Sequence, residues 1–425
     1  MAIRDSLLAV RRSVQGRLFV TLQNREFRFL WGASLFGHLS LSMGLIVLGW
    51  IVLDKTGEPW LVAQVIFYFG LFLFILSIFS GTLSDRFPRK SLMVLGSLIR
   101  LGPWVFLAII ALTDSLAMWQ MIAASGVVGL GVGVEMPASR VLAHDLVGNQ
   151  GIINAMSLDS VSRHVSRGVG PFAGGVLYDV AGAEVALVAI CVVQLAALVL
   201  LLPMRMAPSV ASRSGRGSFA SDMVKGLAYL SRNQLVLALV VGATITNLFL
   251  LPMIFLLPVF AREILDISAS KLGLLTLIGT LGSIGGALFM ASNPRISRPG
   301  LLWLGIAYFL AAVTLVFAWS TWFVLSMLLL VLHGLAFATS GALQPSMVIL
   351  ASDEEMRGRT SGYMSLAMGL SQLGVLAMGG LIALLGVSLG LATSTGIAIA
   401  LLSLLLVFFP VLTRRAIELE PARSA

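Results

Sequence analysis

Several ionisable side chains stand inside runs of residues that are otherwise apolar: His38, Arg100, Glu135, Arg163, His164, Arg167 and His333. A charge is expensive in hydrocarbon, so each of these residues marks a site by default. Glu135, two positions before Pro137, is the carboxylate best placed to exchange a proton. It is expected to pair with Arg100 or Arg167 in the inner half of its bundle. The rival reading is a static ion pair that only fixes helix packing. Arg163 and Arg167 share a helix face with Asp159, at i, i+4 and i+8. His38 reads as a neutral hydrogen-bonded histidine, with a proton relay as the alternative. His164 and His333 read as structural, and His144 as solvated in a loop.

Other chemistries find no support. There is no HExxH, no Cys/His metal spacing, no phosphate-binding glycine loop and no nucleophile elbow. The expectation is therefore no enzyme, no metal and no cofactor. The lone cysteine, Cys191, reads as a small core residue.

The elements that must carry these residues are helices crossing a membrane. The chain of 425 residues is 58% hydrophobic and 11% charged, too apolar for a water-soluble fold to hide. Twelve apolar runs follow one another, each near the length of a bilayer crossing. They are spans 1 to 12, at 29–53, 61–83, 91–112, 117–139, 160–181, 184–204, 235–260, 271–291, 299–319, 322–346, 361–384 and 388–412. The predicted fold is an all-α integral membrane protein of two pseudo-symmetric six-helix bundles. Residues 1–28 read as a basic amphipathic segment on the membrane surface, not a cleaved signal.

Basic residues sort by side. The termini and the loops after even-numbered spans hold nearly all the Arg and Lys. The opposite loops hold Lys55, Arg262 and Lys271. The positive-inside rule then puts both termini in the cytoplasm. The net charge of +9 follows this topology, so it does not point to nucleic acid.

Shifting the chain by 205 residues lays Gly81 on Gly286, Gly129 on Gly334, Gly174 on Gly379, Gly175 on Gly380 and Lys90 on Arg295. A duplicated six-helix unit is a transporter plan with its site between the halves. The expected divisions are 1–28, a first bundle at 29–205, a linker with an amphipathic helix at 206–234, a second bundle at 235–412 and a tail at 413–425.

The stretch GTLSDRFPRK, residues 81–90, resembles the signature loop between spans 2 and 3 of the major facilitator superfamily. GPFAGG, residues 170–175, resembles the Gly-Pro signature of that superfamily's exporters. MPASRVLAHDLV after span 4 and DEEMRGRTSGY after span 10 are similar to the branch of enterobactin exporters and macrolide-efflux-like pumps. Pro88 departs from the Gly common in the loop. Ser125 stands where drug–proton antiporters carry an Arg, and His38 where relatives often have an acid.

The resemblance implies a gating role for Gly81, Asp85, Arg86, Arg89 and Lys90, with Asp85 latching onto the start of span 11 near Thr360 and Ser361. It implies close packing of Gly170, Pro171, Gly174 and Gly175 against span 8, which offers Gly279, Gly282, Gly285 and Gly286. It also implies secondary active export by alternating access, with protons as coupling ion. The cargo is a small amphipathic molecule, either a drug-like compound or a siderophore or metabolite. A lipid or lysolipid mover of the same fold is the alternative, and a non-transport assembly protein is the rival from another class. Intramembrane Arg leans the cargo towards anions. Met43, Trp50, Phe67, Phe74, Asn247, Met253 and Gln344 are the candidate cavity lining. The expected setting is the bacterial inner membrane, as a monomer in the lipid bilayer.

Overall fold

In a bilayer every backbone polar group must find its partner within the chain, and a helix meets that demand residue by residue. The computed structural model is built of helices accordingly. It describes residues 20–205, 229–293, 296–353 and 356–413, and of residues 20, 78–86, 150, 358 and 361 the backbone alone. The span 1 helix begins at Arg25, inside the expected N-terminal segment. Residues 1–19 of that basic segment, most of the linker, Arg295 and most of the tail lie outside the described residues. So do the side chains of Asp85, Arg86 and Ser361.

Eleven described helical stretches are long and apolar enough to cross a membrane. The longest, Gly151–Leu201, has 51 residues and carries two crossings. It breaks at Gly182, whose φ of 85° a side chain would oppose. Gly148, with φ 65°, breaks the same continuous helix between spans 4 and 5. The fold is thus the expected twelve-span one.

Several spans differ from the sequence expectation. Residues 140–159, expected as a loop that holds His144, are helical, and His144 is exposed on that helix. Span 7 is not one helix: it runs as Gln234–Phe249, Pro252–Phe255 and Leu257–Glu263. Pro252 and Pro258 lack the N–H that a continuous helix needs, and the segments restart at them. Span 11 starts at Arg357, a turn before the expected position, and is interrupted at Leu370 between Arg357–Gly369 and Ser371–Leu385.

By its contacts the chain forms two units. The first takes the chain up to Val47 and Leu71–Arg213; the second takes Leu48–Gly70 and the chain from Ser214 on. The expected halves and these units differ in one hairpin, Leu48–Gly70, the C-terminal end of span 1 and the start of span 2. Small residues explain its allegiance. Gly379 leaves room for Ala63 and Trp60, Gly70 for Gln372, and Gly49 abuts Pro258.

Each unit repeats one packing device that the 205-residue shift does not reveal. In the first, the ring of Trp104 in span 3 fills the space beside Gly44 of span 1. In the second, Trp303 of span 9 fills the space beside Gly242 of span 7. Both indoles are fully buried. A side chain at either glycine would meet the ring within 2.5 Å or less. The tryptophans are 199 positions apart and the glycines 198, so this part of the repeat runs in a different register.

The glycines read as a helix 5 to helix 8 surface serve within their own units. Gly170 and Gly174 pack on Ser42, Met43 and Val47 of span 1. Gly282 and Gly286 pack on the backbone of span 10 at Val331 and Leu335, and Gly334 answers against Gly279 and Ser283. Pro171 and Gly175 are buried in span 5.

Candidate functional site

The site grows from a close helix crossing in the first unit. Gly96 of span 3 and Gly131 of span 4 face one another: a Cβ on either would stand 2.8 Å from the other's carbonyl oxygen. One turn beyond each glycine stands a charge, Arg100 after Gly96 and Glu135 after Gly131. The contacts are reciprocal, because Gly96 makes room for the Glu135 side chain and Gly131 for the Arg100 side chain. The Arg100 guanidinium donates to Glu135 Oε2 at 2.5 Å. Its other terminal nitrogen donates to the carbonyl of Gly37 in span 1. The side chains are only 4% and 14% exposed, so the pair is held out of water. Arg100 Nε and His38 Nδ1 are buried without hydrogen-bond partners. Of the two partners expected for Glu135, the structure selects Arg100. The signal was present as GSLIR and GVGVE, each a glycine four residues before a charge.

A second polar group lies on span 5. Arg163 pairs with Asp159 one turn earlier. His38, Arg163 and His164 are all close enough to Arg167 to feel its charge. Arg140, on the same continuous helix as span 4, reaches Arg163 in the same way.

The signature loop ends in two struts that sequence reasoning missed. Arg89 forms an ion pair with Asp145, within the MPASRVLAHDLV stretch. Lys90 Nζ donates to the carbonyls of Leu202 and Met204 at 2.8 and 2.6 Å. A cation thus serves the last, otherwise orphaned carbonyls of span 6. The helix of span 2 extends to Arg86, past its expected end at 83, so Asp85 lies on its last turn rather than in a loop.

The candidate lining residues scatter. Met43, Trp50, Met253 and Gln344 are buried in packing. Gln344 donates to Leu239 O at 2.8 Å, and Arg262 covers the Trp50 ring at 5.8 Å. Asn247 donates to Ala243 O in its own helix. Phe67 and Phe74 are half-buried. Ser125 is buried and bonds Ile122 O. His333 is buried beside Phe337 with Nε2 unpartnered.

In the second unit, Arg262 pairs with Asp54 at 3.1 Å. Next to it, burial and the charge of Glu58 push the Glu263 carboxyl above its ordinary value. Above that raised value the ionised pair destabilises the fold; as pH falls through it, Glu263 takes up a proton and the penalty disappears. Glu58→Gln is expected to raise the melting temperature at pH 8 and to leave it unchanged near pH 4, as differential scanning fluorimetry would show.

These features can be set against known proteins. Residues 17–424 match the family described as transmembrane secretion effector, one of the major facilitators. The chain belongs to that family. It is 25% identical over 421 residues to the enterobactin exporter EntS of Shigella boydii serotype 4 (strain Sb227), covering 94% of this chain and 95% of the relative. The enterobactin exporter EntS of Escherichia coli (strain SMS-3-5 / SECEC) matches with the same identity and coverage. Among solved structures, a peptide transporter POT in complex with sulfate shares the fold with a TM-score of 0.73 at 14% identity, covering 92% of this chain and 95% of that one. A bacterial homologue of the human lysosomal transporter Spinster, inward-facing and unoccupied, gives 0.69 at 16% identity, covering 94% and 99%. The secretion-effector chain is therefore a multi-pass membrane transporter and not an enzyme.

Proposed function

We propose that this transporter exports a small amphipathic molecule from the bacterial cytoplasm across the inner membrane by alternating access, in exchange for protons. The observation that carries the proposal is the Arg100–Glu135 pair, buried where spans 1, 3 and 4 meet. A carboxylate with one strong partner in a dry site can trade that partner for a proton when its surroundings change. Export is supported by the similarity to enterobactin exporters over nearly the whole chain. A siderophore-like molecule is the cargo, both termini are cytoplasmic, and the protein works as a monomer in lipid. Asp85, near the inner end of span 2, latches the start of span 11 when the outer side opens.

The test is complementation of a bacterium lacking its own enterobactin exporter. Wild-type protein is expected to restore enterobactin in the culture supernatant, driven by the proton gradient. Glu135→Gln should abolish gradient-driven export, and Asp85→Asn should slow it while leaving expression intact. Full activity of Glu135→Gln would end its coupling role. Unchanged export by Asp85→Asn would end the latch. Failure of the wild type to release enterobactin or any other compound would overturn export.

A further inference from the structure

Span 5 has two different free faces. At about 100° per residue, Val161, Val165, Val169 and Phe172 fall on one stripe, and all four are exposed and apolar. A stripe of this kind suits lipid. Between the stripes' edges, Ser166 and Gly170 pack on span 1 through Leu35 and Ser42. The remaining side carries Ser160, Arg163, His164 and Arg167 within roughly 100° of one another. Arg167 is exposed there. An arginine cannot be left against hydrocarbon, so this side of span 5 faces water or cargo.

The charges on this side do not balance. Glu135 is taken by Arg100, and Asp159 by Arg163. No hydrogen bond or ion pair reaches Arg167 or Arg140 among the described residues, and His38 and His164 bring no negative charge. Arg167 therefore stands at membrane depth with its planar fork of donors unused. Facing a water-filled space at membrane depth it is less hydrated than in bulk water, and an anion from outside the chain would compensate it.

We infer that Arg167, on one helix face with Arg163, is the anchor for a negatively charged group, so that the molecule carried is an amphipathic organic anion bearing a carboxylate, sulfonate or phosphate. The inference rests on the export reading and adds the chemical class of the cargo. An anionic lipid headgroup presents the same chemistry as a soluble cargo, and the experiment separates the two.

Purified full-length protein is titrated with 4-phenylbutyrate, 4-phenylbutanol and 4-phenylbutylamine, which share one apolar body, with tryptophan fluorescence as readout. The titration is run in nanodiscs of phosphatidylcholine with and without phosphatidylglycerol. The carboxylate is expected to bind at least ~10-fold more tightly than the alcohol, the scale of one charge-assisted hydrogen bond, and the amine more weakly than either. Arg167→Met should bring carboxylate and alcohol to equal affinity without moving the alcohol, and Arg167→Lys should keep part of the preference. Competition by phosphatidylglycerol would assign the anion to lipid, and its absence to a soluble molecule; either keeps the anion site. Absence of any anion preference in the wild type, or its survival in Arg167→Met, overturns the site. If the preference holds and the cell assay shows no export, the export reading fails and the anion site stands.

Discussion

Arg100→Met is expected to destabilise the first unit by roughly 3–5 kcal/mol, the range for removing one partner of a buried pair. Met fills similar volume, so the loss is electrostatic rather than steric. Two acceptors lose their donor at once: Glu135 Oε2 and the Gly37 carbonyl. Little of either acceptor is open to solvent, since the Glu135 side chain is only 14% exposed and Gly37 is buried. The double variant Arg100→Met/Glu135→Met removes the charge along with its partner. It should recover most of the lost stability and no gradient-driven export. Thermal unfolding in detergent, with the export assay beside it, separates the two effects. A double variant as unstable as the single one would show that the pair's charge is not the source of the loss.

Gly282→Val should prevent the second unit from folding normally, while Gly285→Val in the next turn should be close to neutral. A Cβ at Gly282 would stand 1.9 Å from the Val331 carbonyl oxygen and 2.7 Å from its carbon, and these atoms belong to backbone. Backbone cannot swing aside as a side-chain tip can, so spans 8 and 10 would have to part. Overpacking of a close-packed interior costs roughly 1–3 kcal/mol in ordinary cases, and a backbone clash of this depth lies at or above the upper end. At Gly285 nothing lies within 4 Å. Folded yield by size-exclusion chromatography and the midpoint of thermal unfolding measure both variants. Equal behaviour of the two would mean that the spans are not held at this distance.

This second pair of variants shows where sequence reasoning ended. TLGSIGGALF presents Gly282, Gly285 and Gly286 as equivalent small residues. Their fates differ because a helix offers each residue a different direction, and only the neighbour's position says which direction is crowded. Within their own unit, Gly282 and Gly286 meet the backbone of span 10. Similarly, Glu135 had two possible arginine partners in the sequence. The choice fell to Arg100 because the crossing at Gly96 and Gly131 brings spans 3 and 4 close enough for the two side chains to meet. The lining residues were the weakest expectation. Apolar and aromatic types suit lipid, packing and cargo alike, and Met43, Trp50 and Met253 went into packing.

In the sequence by itself, the family was legible from the motifs GTLSDRFPRK and GPFAGG that resemble it. The twelve-span plan and the set of intramembrane charges were legible from composition and length, because hydrocarbon permits little besides uninterrupted helices and makes every charge within them conspicuous. The break at Gly182 was legible to within a residue for the same reason: the apolar run is too long for one crossing. The Asp159–Arg163 pair is an i,i+4 neighbour on one helix and was legible in the spacing. Only the tertiary structure settled which arginine Glu135 takes. The pairing of Glu135 with Arg100, which leaves Arg167 over, depends on the distance between helices far apart in sequence, set by the backbone approach that Gly96 and Gly131 allow.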